Sequence, residues 1–425
     1  MKSHMGMNRQ AWLIGLPLIS IIVLTILTNA SLAGQPQWPQ WRGPHGTGHS
    51  SETGLPVRWD PSAVVWKTPL KGNGQSSPVI WNDRIFLTSA LEKGKKRLVM
   101  CLSAKDGKIL WEKEAWSGKP EPAHKLNGWA SSTCVTDGER VYASFGKAGL
   151  HCYTVDGEHL WSKELGEFLS KNKRGTAASL VLTDDMVIFN GDSESDPYLF
   201  GIDKLSGKTM WKTKRPATEG YSSPIIIDTG KRKEIVLNGH YFVAGYDPKT
   251  GDELWKCKSF IGRGEPVPAF ADGILFVVNG QAKDVYAVRP GGKGDVTKTH
   301  MVWHTPRRSG RDQPSPIVVN GFLVVSNIAG LATCYDVTDG KPLWTARISN
   351  DKIYSSPVAA EGKVYFLNEA GETIVLEPGK EKKIVAQNQV TKTDAELFRA
   401  SPIPYRGHFF LRSQTQLYCV RNKSE

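Results

Sequence analysis

The chain is short of the residue patterns that usually reveal an enzyme or a disulfide-stabilised fold. Its six cysteines include no adjacent pair and no C-x-x-C, which argues against a disulfide framework and against a c-type haem site. The metalloprotease pattern H-E-x-x-H, the hydrolase pattern G-x-S-x-G and a phosphate-binding loop are also absent. We therefore assign no catalytic residue from the sequence.

Long apolar runs are confined to the N-terminus. Lys2 and Arg9 precede an uncharged apolar stretch from Ala11 to Leu27, and Ser31-Leu32-Ala33 then stands before Gly34. This layout predicts a signal peptide over residues 1–33 and export to the periplasm or cell envelope, with an uncleaved membrane anchor as the alternative. Because no cysteine lies near the cleavage site, a lipid-modified N-terminus is not expected.

The chain has few acidic residues relative to its basic ones. It carries 54 Lys and Arg against 42 Asp and Glu, a formal charge of +12. The basic clusters Lys93–Arg97, Lys171–Arg174 and Lys231–Lys233 fall between predicted strands. We interpret them as solvated loops and expect no nucleic-acid partner.

Tryptophan recurs at a nearly constant interval. Successive members are separated by 45, 50, 50, 44, 48 and 41 residues, an interval typical of propeller blades. The series is Trp66, Trp111, Trp161, Trp211, Trp255, Trp303 and Trp344. Most are preceded by the same phrase of strand, tight turn and strand, as in Ala104-Lys105-Asp106-Gly107 before Trp111, with glycine supplying the turn angles.

A second hairpin lies upstream in every repeat, so each unit contains four strands. Units open at eight points: Ser76, Ser131, Ala178, Ser222, Pro266, Pro314, Ser355 and Ala400. The last unit, Arg399–Arg421, is one strand short, whereas Val64–Lys67 is an extra strand at the front. Pairing these two closes the ring. We predict an all-β, eight-bladed propeller over residues 64–421, preceded by a leader over 34–63.

The repeated tryptophans are predicted to be structural. Each can lie between neighbouring blades while its indole N–H finds a backbone acceptor in the next sheet. Cys101, Cys152, Cys334 and Cys419 occupy closely similar repeat positions, where Gly201, Gly245 and Ala287 stand in other units. This position needs a small buried residue, so we expect six free thiols.

The phrase Ala104-x-Asp106-Gly107-x-x-x-Trp111 and its copies resemble the tryptophan-docking repeats of propellers of the pyrroloquinoline quinone (PQQ) type, over about Val64–Arg421. The segment Trp38–Pro44 looks like the leader of exported bacterial members. The resemblance implies two branches. One comprises quinoprotein dehydrogenases, and the other comprises non-enzymatic propellers similar to the outer-membrane assembly factor BamB.

The dehydrogenase branch implies a vicinal Cys-Cys disulfide over the quinone and Ca²⁺ held by Glu and Asn, with an Asp base. Adjacent cysteines are missing here. The acidic fragments Asp247–Glu253 and Asp336–Asp339 are better interpreted as hairpin turns than as calcium loops. We therefore expect neither PQQ nor calcium nor another metal. The lipid-bearing cysteine of the assembly factor is also missing.

Residues just before each opening segment should surround one mouth of the axial channel. This predicted ring is Gln75, Trp129, Thr176, Tyr221, Glu265, Gln313, Tyr354 and Arg399. Arg174, Arg263, Arg311 and Asp312 lie in the same loops. The ring could bind an anionic or sugar ligand, with aromatic faces for stacking, or it could be an ordinary solvated channel mouth.

Three hypotheses for function remain open. The favoured one is a monomeric, non-catalytic scaffold that binds envelope proteins. The alternatives are a binder of small ligands or glycans at the channel mouth and a divergent quinoprotein oxidoreductase.

Overall fold

The computed structural model describes residue 1 and residues 37–258, 262–278, 284–307, 311, 313–391 and 396–422. The predicted signal or anchor lies outside this part of the chain, apart from Met1. Contacts divide the chain into Met1–Gln35 and Pro36–Glu425, and every strand of the described residues lies in the second unit. No helix among the described residues is long and apolar enough to cross a bilayer.

Strands follow one another as short antiparallel hairpins, and each group of four forms one sheet. Blade 1 contains β2 (Val79–Trp81), β3 (Arg84–Leu91), β4 (Lys96–Ser103) and β5 (Ile109–Ser117). Blade 2 contains β6 (Val135–Thr136), β7 (Arg140–Ser144), β8 (Leu150–Thr154) and β9 (His159–Lys163). Blade 3 contains β10 (Val181–Leu182), β11 (Met186–Asn190), β12 (Tyr198–Asp203) and β13 (Thr209–Lys214).

Blades 4 and 5 differ by an insertion between them. Blade 4 contains β14 (Ile225–Asp228), β15 (Lys233–Leu237), β16 (Phe242–Tyr246) and β17 (Glu253–Lys258). Blade 5 contains β18 (Ala269–Ala271), β19 (Ile274–Val278), β20 (Val285–Val288) and β22 (Met301–Thr305). Before its last strand the chain forms β21 (Gly294–Asp295), a fifth strand of blade 4, and one helical turn, α1 (Thr297–His300).

The remaining strands complete the ring. Blade 6 contains β23 (Ile317–Val319), β24 (Phe322–Ser326), β25 (Leu331–Asp336) and β26 (Pro342–Arg347). Blade 7 contains β27 (Val358–Ala360), β28 (Lys363–Leu367), β29 (Glu372–Glu377) and β30 (Lys383–Gln389). Blade 8 contains β31 (Ile403–Tyr405), β32 (His408–Arg412) and β33 (Gln416–Arg421), with β1 (Val64–Pro69) as its outer strand.

The predicted closure between the chain ends is confirmed. Strand β1 pairs antiparallel with β33, from Val64 opposite Val420 to Pro69 opposite Gln416. Trp66 packs on Phe410 of the same sheet. Because one blade contains both ends of the repeat region, the ring has no open seam.

Removing β1 should therefore weaken the whole ring. Replacing Val64–Pro69 with a six-residue Gly-Ser segment exposes the edge of β33 and removes the Trp66 anchor. We expect the melting temperature to fall by about 10 °C or more, measured by circular dichroism. Replacing the exposed turn Lys380–Lys382 with Gly-Ser-Gly is the control and should change it little. An equal melting temperature for the two variants would contradict closure of the ring by β1.

The repeated tryptophans connect neighbouring blades. Six indole N–H groups donate to a backbone carbonyl of the following blade, at 2.9–3.3 Å, as Trp111 does to Val155 and Trp303 to Val337. Trp255 instead donates to the buried Glu234 carboxylate at 2.6 Å. In the other blades, the carbonyl that accepts this hydrogen bond lies in the short turn before the last strand of the following blade. In blade 5 the insertion that contains β21 stands in place of that turn.

The turn glycines also have a packing role that their sequence pattern does not show. Gly157 has φ +88°, and a Cβ built on it would lie 2.8 Å from the Trp111 indole. Gly107, Gly207, Gly251 and Gly340 approach Trp66, Trp161, Trp211 and Trp303 in the same way. Glycine is therefore needed both for the turn and for contact with the tryptophan of the preceding blade.

Blade 7 lacks the tryptophan, and the leader fills its place. The residue at the equivalent position is Ala386, opposite Val375. Trp59 of the leader is buried beside both, 5.8 Å from the ring of Phe409 in blade 8. Its backbone N–H donates to the Asn388 side chain at 2.9 Å. The eighth interblade aromatic thus comes from outside the repeat.

The predicted small-residue position lies opposite the tryptophan. Cys101, Cys152, Cys334 and Cys419 pair with Trp111, Trp161, Trp344 and Trp66 across adjacent strands, and Gly201 pairs with Trp211. All six thiols are buried and unpaired. Burial raises the pKa of the Cys152 and Cys419 thiols to about 12, which is the state of structural, unreactive cysteines.

One basic cluster is not wholly a solvated loop. Arg97 lies within β4 with a fully buried side chain, 2.9 Å from the Glu121 carboxylate. Its guanidinium also lies over the Trp116 ring. Blade 1 has unusually long strands here, and this pair holds the connector to blade 2 against them.

Candidate functional site

A cavity of about 350 Å³ lies on the axis where the inner strands begin. Six members of the predicted ring line it: Gln75, Tyr221, Glu265, Gln313, Tyr354 and Arg399. Arg174, Arg263 and Arg311 line it as well. Asp312 lies outside the described residues.

Two members of the predicted ring lie elsewhere. The Trp129 ring packs over Gly94, and its indole N–H donates to the Glu121 carbonyl at 2.8 Å. The Thr176 side chain lies over Gly146, where the backbone has positive φ. Neither side chain contributes to the cavity wall, because the residues at the equivalent positions of blades 2 and 3 are Ser131 and Ala177, which do line the cavity.

A ring of hydroxyl groups surrounds the cavity and explains the recurring serine. The residue concerned is the second of each opening segment, or the third in blade 2. In seven of the eight blades it donates its backbone N–H to the equivalent hydroxyl of the next blade, at 2.8–3.1 Å. The circle runs through Ser77, Thr133, Ser179, Ser223, Val267, Ser315, Ser356 and Ser401 and returns to Ser77. At Val267 the acceptor hydroxyl is missing. These hydroxyl groups fasten the inner strands of neighbouring blades together, which gives the recurring serine a structural role.

The leader closes the far end of the cavity. Trp38 forms a β-bridge with Ile80, and His49 forms one with Ala359, at the far ends of inner strands in blades 1 and 7. Between these two bridges Trp41 packs against the blade 4 core and lines the axial cavity. Among the described residues, the loops between blades form the other end of the cavity, which we call the mouth.

Arg42 fixes the leader in this position. Its side chain is fully buried and donates to the carbonyl oxygens of Gly46, Thr47 and Pro316, at 2.7–3.3 Å. Burial without a carboxylate partner lowers its pKa to about 9. Glu52, further along the leader, accepts hydrogen bonds from the backbone of Arg406 and Gly407 in blade 8.

The connector between blades 1 and 2 supplies wall residues that the repeat pattern did not predict. His124, Leu126 and Asn127 line the cavity. The Asn127 amide donates to the carbonyl oxygens of Arg174 and Thr176, at 2.8 and 3.1 Å. The only sequence signal was the length of this connector, which does not reveal that it reaches the blade 3 loop.

Guanidinium groups dominate the charge of the mouth. Arg174 and Arg263 share the carboxylate of the buried Glu219, at 3.4 and 3.3 Å. Arg399 pairs with Glu369, with 2.7 Å from its Nε to the carboxylate, and lies over the Tyr354 ring at 5.3 Å. Arg311 is exposed at the rim of the cavity. One carboxylate shared by two arginines leaves the wall electropositive.

Glu265 is the buried carboxyl group of the site. Its side chain is 10% exposed and its Oε1 lies 3.8 Å from Arg263. Its Oε2 has no hydrogen-bond partner within the described residues. Burial raises the pKa of Glu265 to about 7, and Glu219 adds to this, although Arg311 and Arg174 oppose it. Burial also raises the pKa of the Tyr221 hydroxyl.

These residues do not fit a quinone and calcium site. The six thiols lie within the blades and none lines the cavity. The cavity wall has several guanidinium groups around one carboxyl with a raised pKa, whereas Ca²⁺ needs six or more oxygen ligands. Within the described residues no three His, Cys, Asp or Glu side chains group as metal ligands.

A second surface lies on the outer rim. In every blade a β-bulge falls one residue before the tryptophan position, which turns that residue out of the ladder. In blades 8, 1, 2 and 3 the bulged residues are Val65, Leu110, Leu160 and Met210, each 40–57% exposed. Ile109 and Leu205 add exposed apolar area in blades 1 and 3. We call these six residues the apolar rim.

The sequence matches the family described as "Outer membrane protein assembly factor BamB" over residues 49–131, 95–256 and 294–423. The Escherichia coli K12 BamB is 25% identical over 315 residues, covering 63% of this chain and 76% of the relative. The Shewanella oneidensis BamB is 21% identical over 293 residues, covering 67% of each.

Solved structures share the architecture. BamB from Moraxella catarrhalis superposes with TM-score 0.62 at 15% identity, covering 85% of this chain and 98% of that one. A europium-containing methanol dehydrogenase gives TM-score 0.66 at 10% identity, covering 90% of this chain and 98% of that one. Identities this low indicate a common fold and leave chemistry to the site residues. The sequence match extends over most of the blades, and this chain belongs to the BamB-type family of PQQ-like β-propellers.

Proposed function

We propose that this chain is an exported, non-catalytic scaffold of the cell envelope that binds a protein partner through the apolar rim. The observation that carries the proposal is the exposure of large apolar side chains on four consecutive blades, 8, 1, 2 and 3. Isolated exposed apolar residues are ordinary, but a run of them along neighbouring elements is typical of protein-binding surfaces.

Blade 4 suggests how a partner could lie on this rim. There β21 pairs in parallel with the outer strand β17, with Gly294 opposite Trp255 and Asp295 opposite Lys256. Trp255 is fully buried, and Leu254 at the bulge is only partly exposed. In blades 1–3 the strands β5, β9 and β13 are the last of their sheets among the described residues, and each presents an edge that an extended segment could pair with.

The relatives favour an envelope protein as the partner. They are named as assembly factors for outer membrane proteins, and the N-terminal sequence predicts export. The electropositive mouth and the apolar rim consist of different residues. A ligand at the mouth can therefore differ from the protein bound at the rim.

Site-specific crosslinking tests this proposal. A photoreactive residue at Leu110 or Met210, expressed in the native cell, should form one crosslinked product with an envelope protein identified by mass spectrometry. Adding Leu160→Asp should reduce the yield about tenfold, because a buried charge costs several kcal/mol at an apolar interface. All three side chains are exposed, so folding should not change.

Val302 provides the matched control. It occupies the same bulge position in blade 5, on the other side of the ring, and is 44% exposed. A photoreactive residue there should give no such product, and Val302→Asp should leave the Leu110 product unchanged. Equal crosslinking from blades 1 and 5, or none from any blade, would refute the rim as the binding surface.

A further inference from the structure

We infer that the axial cavity binds a small hydroxylated carboxylate of the uronic acid type. This inference goes beyond the scaffold role, because it concerns the mouth and none of the apolar rim. It rests on four features of the described residues: cavity shape, surplus cationic groups, buried polar atoms without partners, and aromatic faces.

Shape favours a small molecule. The cavity of about 350 Å³ lies within the range of small-ligand sites, about 300–1,000 Å³. Trp41 closes it at the end where the leader crosses the channel. A cavity closed at one end admits a monosaccharide acid more readily than a threaded chain.

The guanidinium groups select for a carboxylate. Arg174, Arg263, Arg311 and Arg399 converge on the cavity. Glu219 serves Arg174 and Arg263, and Glu369 serves Arg399, whereas Arg311 has no ion-pair partner among the described residues and can pair with a ligand carboxylate. Planar guanidinium groups bind carboxylates with paired, charge-assisted hydrogen bonds.

Two buried polar atoms of wall residues lack a partner. Glu265 Oε2 and Asn127 Oδ1 have no hydrogen-bond partner among the described residues, and both residues line the cavity. Leaving such atoms unpaired is costly, and a ligand hydroxyl removes the cost, because it can donate to the amide oxygen and can either donate to or accept from the carboxyl. A simple anion supplies no donor, whereas a sugar acid supplies several.

Aromatic rings complete the match. The Tyr354 ring lies beneath the Arg399 guanidinium at 5.3 Å, and Tyr221 lines the opposite part of the wall. The C–H face of a pyranose packs well on an aromatic ring such as that of Tyr221, while its carboxylate is directed toward Arg399.

Calorimetric titration of the purified protein tests the inference, with D-glucuronate as the probe. We expect D-glucuronate to bind, and D-glucose, which has the same ring without the carboxylate, to bind at least about tenfold more weakly. Arg399→Gln should weaken glucuronate binding by about tenfold or more. Arg311→Gln should weaken it in the same direction, and because Arg311 is exposed this variant remains informative if Arg399→Gln fails to fold.

Arg140→Gln is the matched control, since Arg140 pairs with the neighbouring Glu139 carboxylate and is not among the residues that line the cavity. It should bind glucuronate within twofold of the unmodified protein. Three results would overturn the inference: no glucuronate binding at millimolar concentration, equal affinity for glucose, or tighter binding of a tripeptide with a free C-terminus. Crosslinking at the apolar rim is independent of all three, so either proposal can fail alone.

Discussion

Trp111→Ala is expected to destabilise the protein by about 3–5 kcal/mol, measured by urea denaturation. The substitution removes an indole that lies between Phe86 of its own blade and Tyr153 of the next, with ring centroids 6.0 and 6.1 Å away. It also leaves the Val155 carbonyl without its hydrogen bond. The loss is large because the substitution leaves an empty space between two sheets, and the closed ring prevents these sheets from moving together to fill it.

Leu110 is the control for this prediction. It directly precedes Trp111 but is turned outward by the bulge and is 51% exposed. Leu110→Ala should change the unfolding free energy by no more than about 0.5 kcal/mol. Similar losses for the two variants would mean that these tryptophans do not hold the blades together.

Glu265→Gln is expected to make the protein more stable above pH 7 and to leave it nearly unchanged below pH 4.5. The folded state raises the pKa of Glu265 from 4.5 to about 7, so it retains a proton that the unfolded chain releases. The unfolding free energy therefore falls as pH rises from 4.5 to 7, by on the order of 3 kcal/mol from this group. Glutamine cannot ionise and should remove this loss.

Melting temperatures measured from pH 4 to pH 8 test this prediction. The unmodified protein and Glu265→Gln should coincide at the acidic end and diverge as pH rises. Glu139→Gln, at a side chain that is 80% exposed, should follow the unmodified protein throughout. Parallel curves for Glu265→Gln and the unmodified protein would show that the carboxyl is already ionised at acidic pH and that its burial has little effect.

The blade count and ring closure could be predicted because each blade is a local unit. The tryptophan interval, the turn pairs and the incomplete last repeat are all visible within stretches of about 50 residues. Short antiparallel hairpins form between neighbours in sequence, so their pattern specifies their partners. The extra strand at Val64 and the missing strand after Arg421 left one pairing that closes the ring.

The composition of the cavity was only partly predictable. Six of the eight ring positions line it because equivalent residues of each repeat reach the same height on the axis. Trp129 and Thr176 lie outside the wall because they stand two residues and one residue before the equivalent positions of their repeats. Those positions are Ser131 and Ala177, which do line the cavity. Trp41, His124 and Asn127 were missed because no repeat contains them.

The sequence by itself determined the repeat, the closure and the interblade tryptophans, since periodic local signals encode them. Tertiary structure alone decided that Trp59 replaces the tryptophan missing from blade 7 and that Trp41 closes the channel. It also decided the raised pKa of Glu265. Those properties arise where segments distant in the chain meet, between blades for Trp59 and on the axis for Trp41 and Glu265, and burial and charge at such a point depend on every segment present.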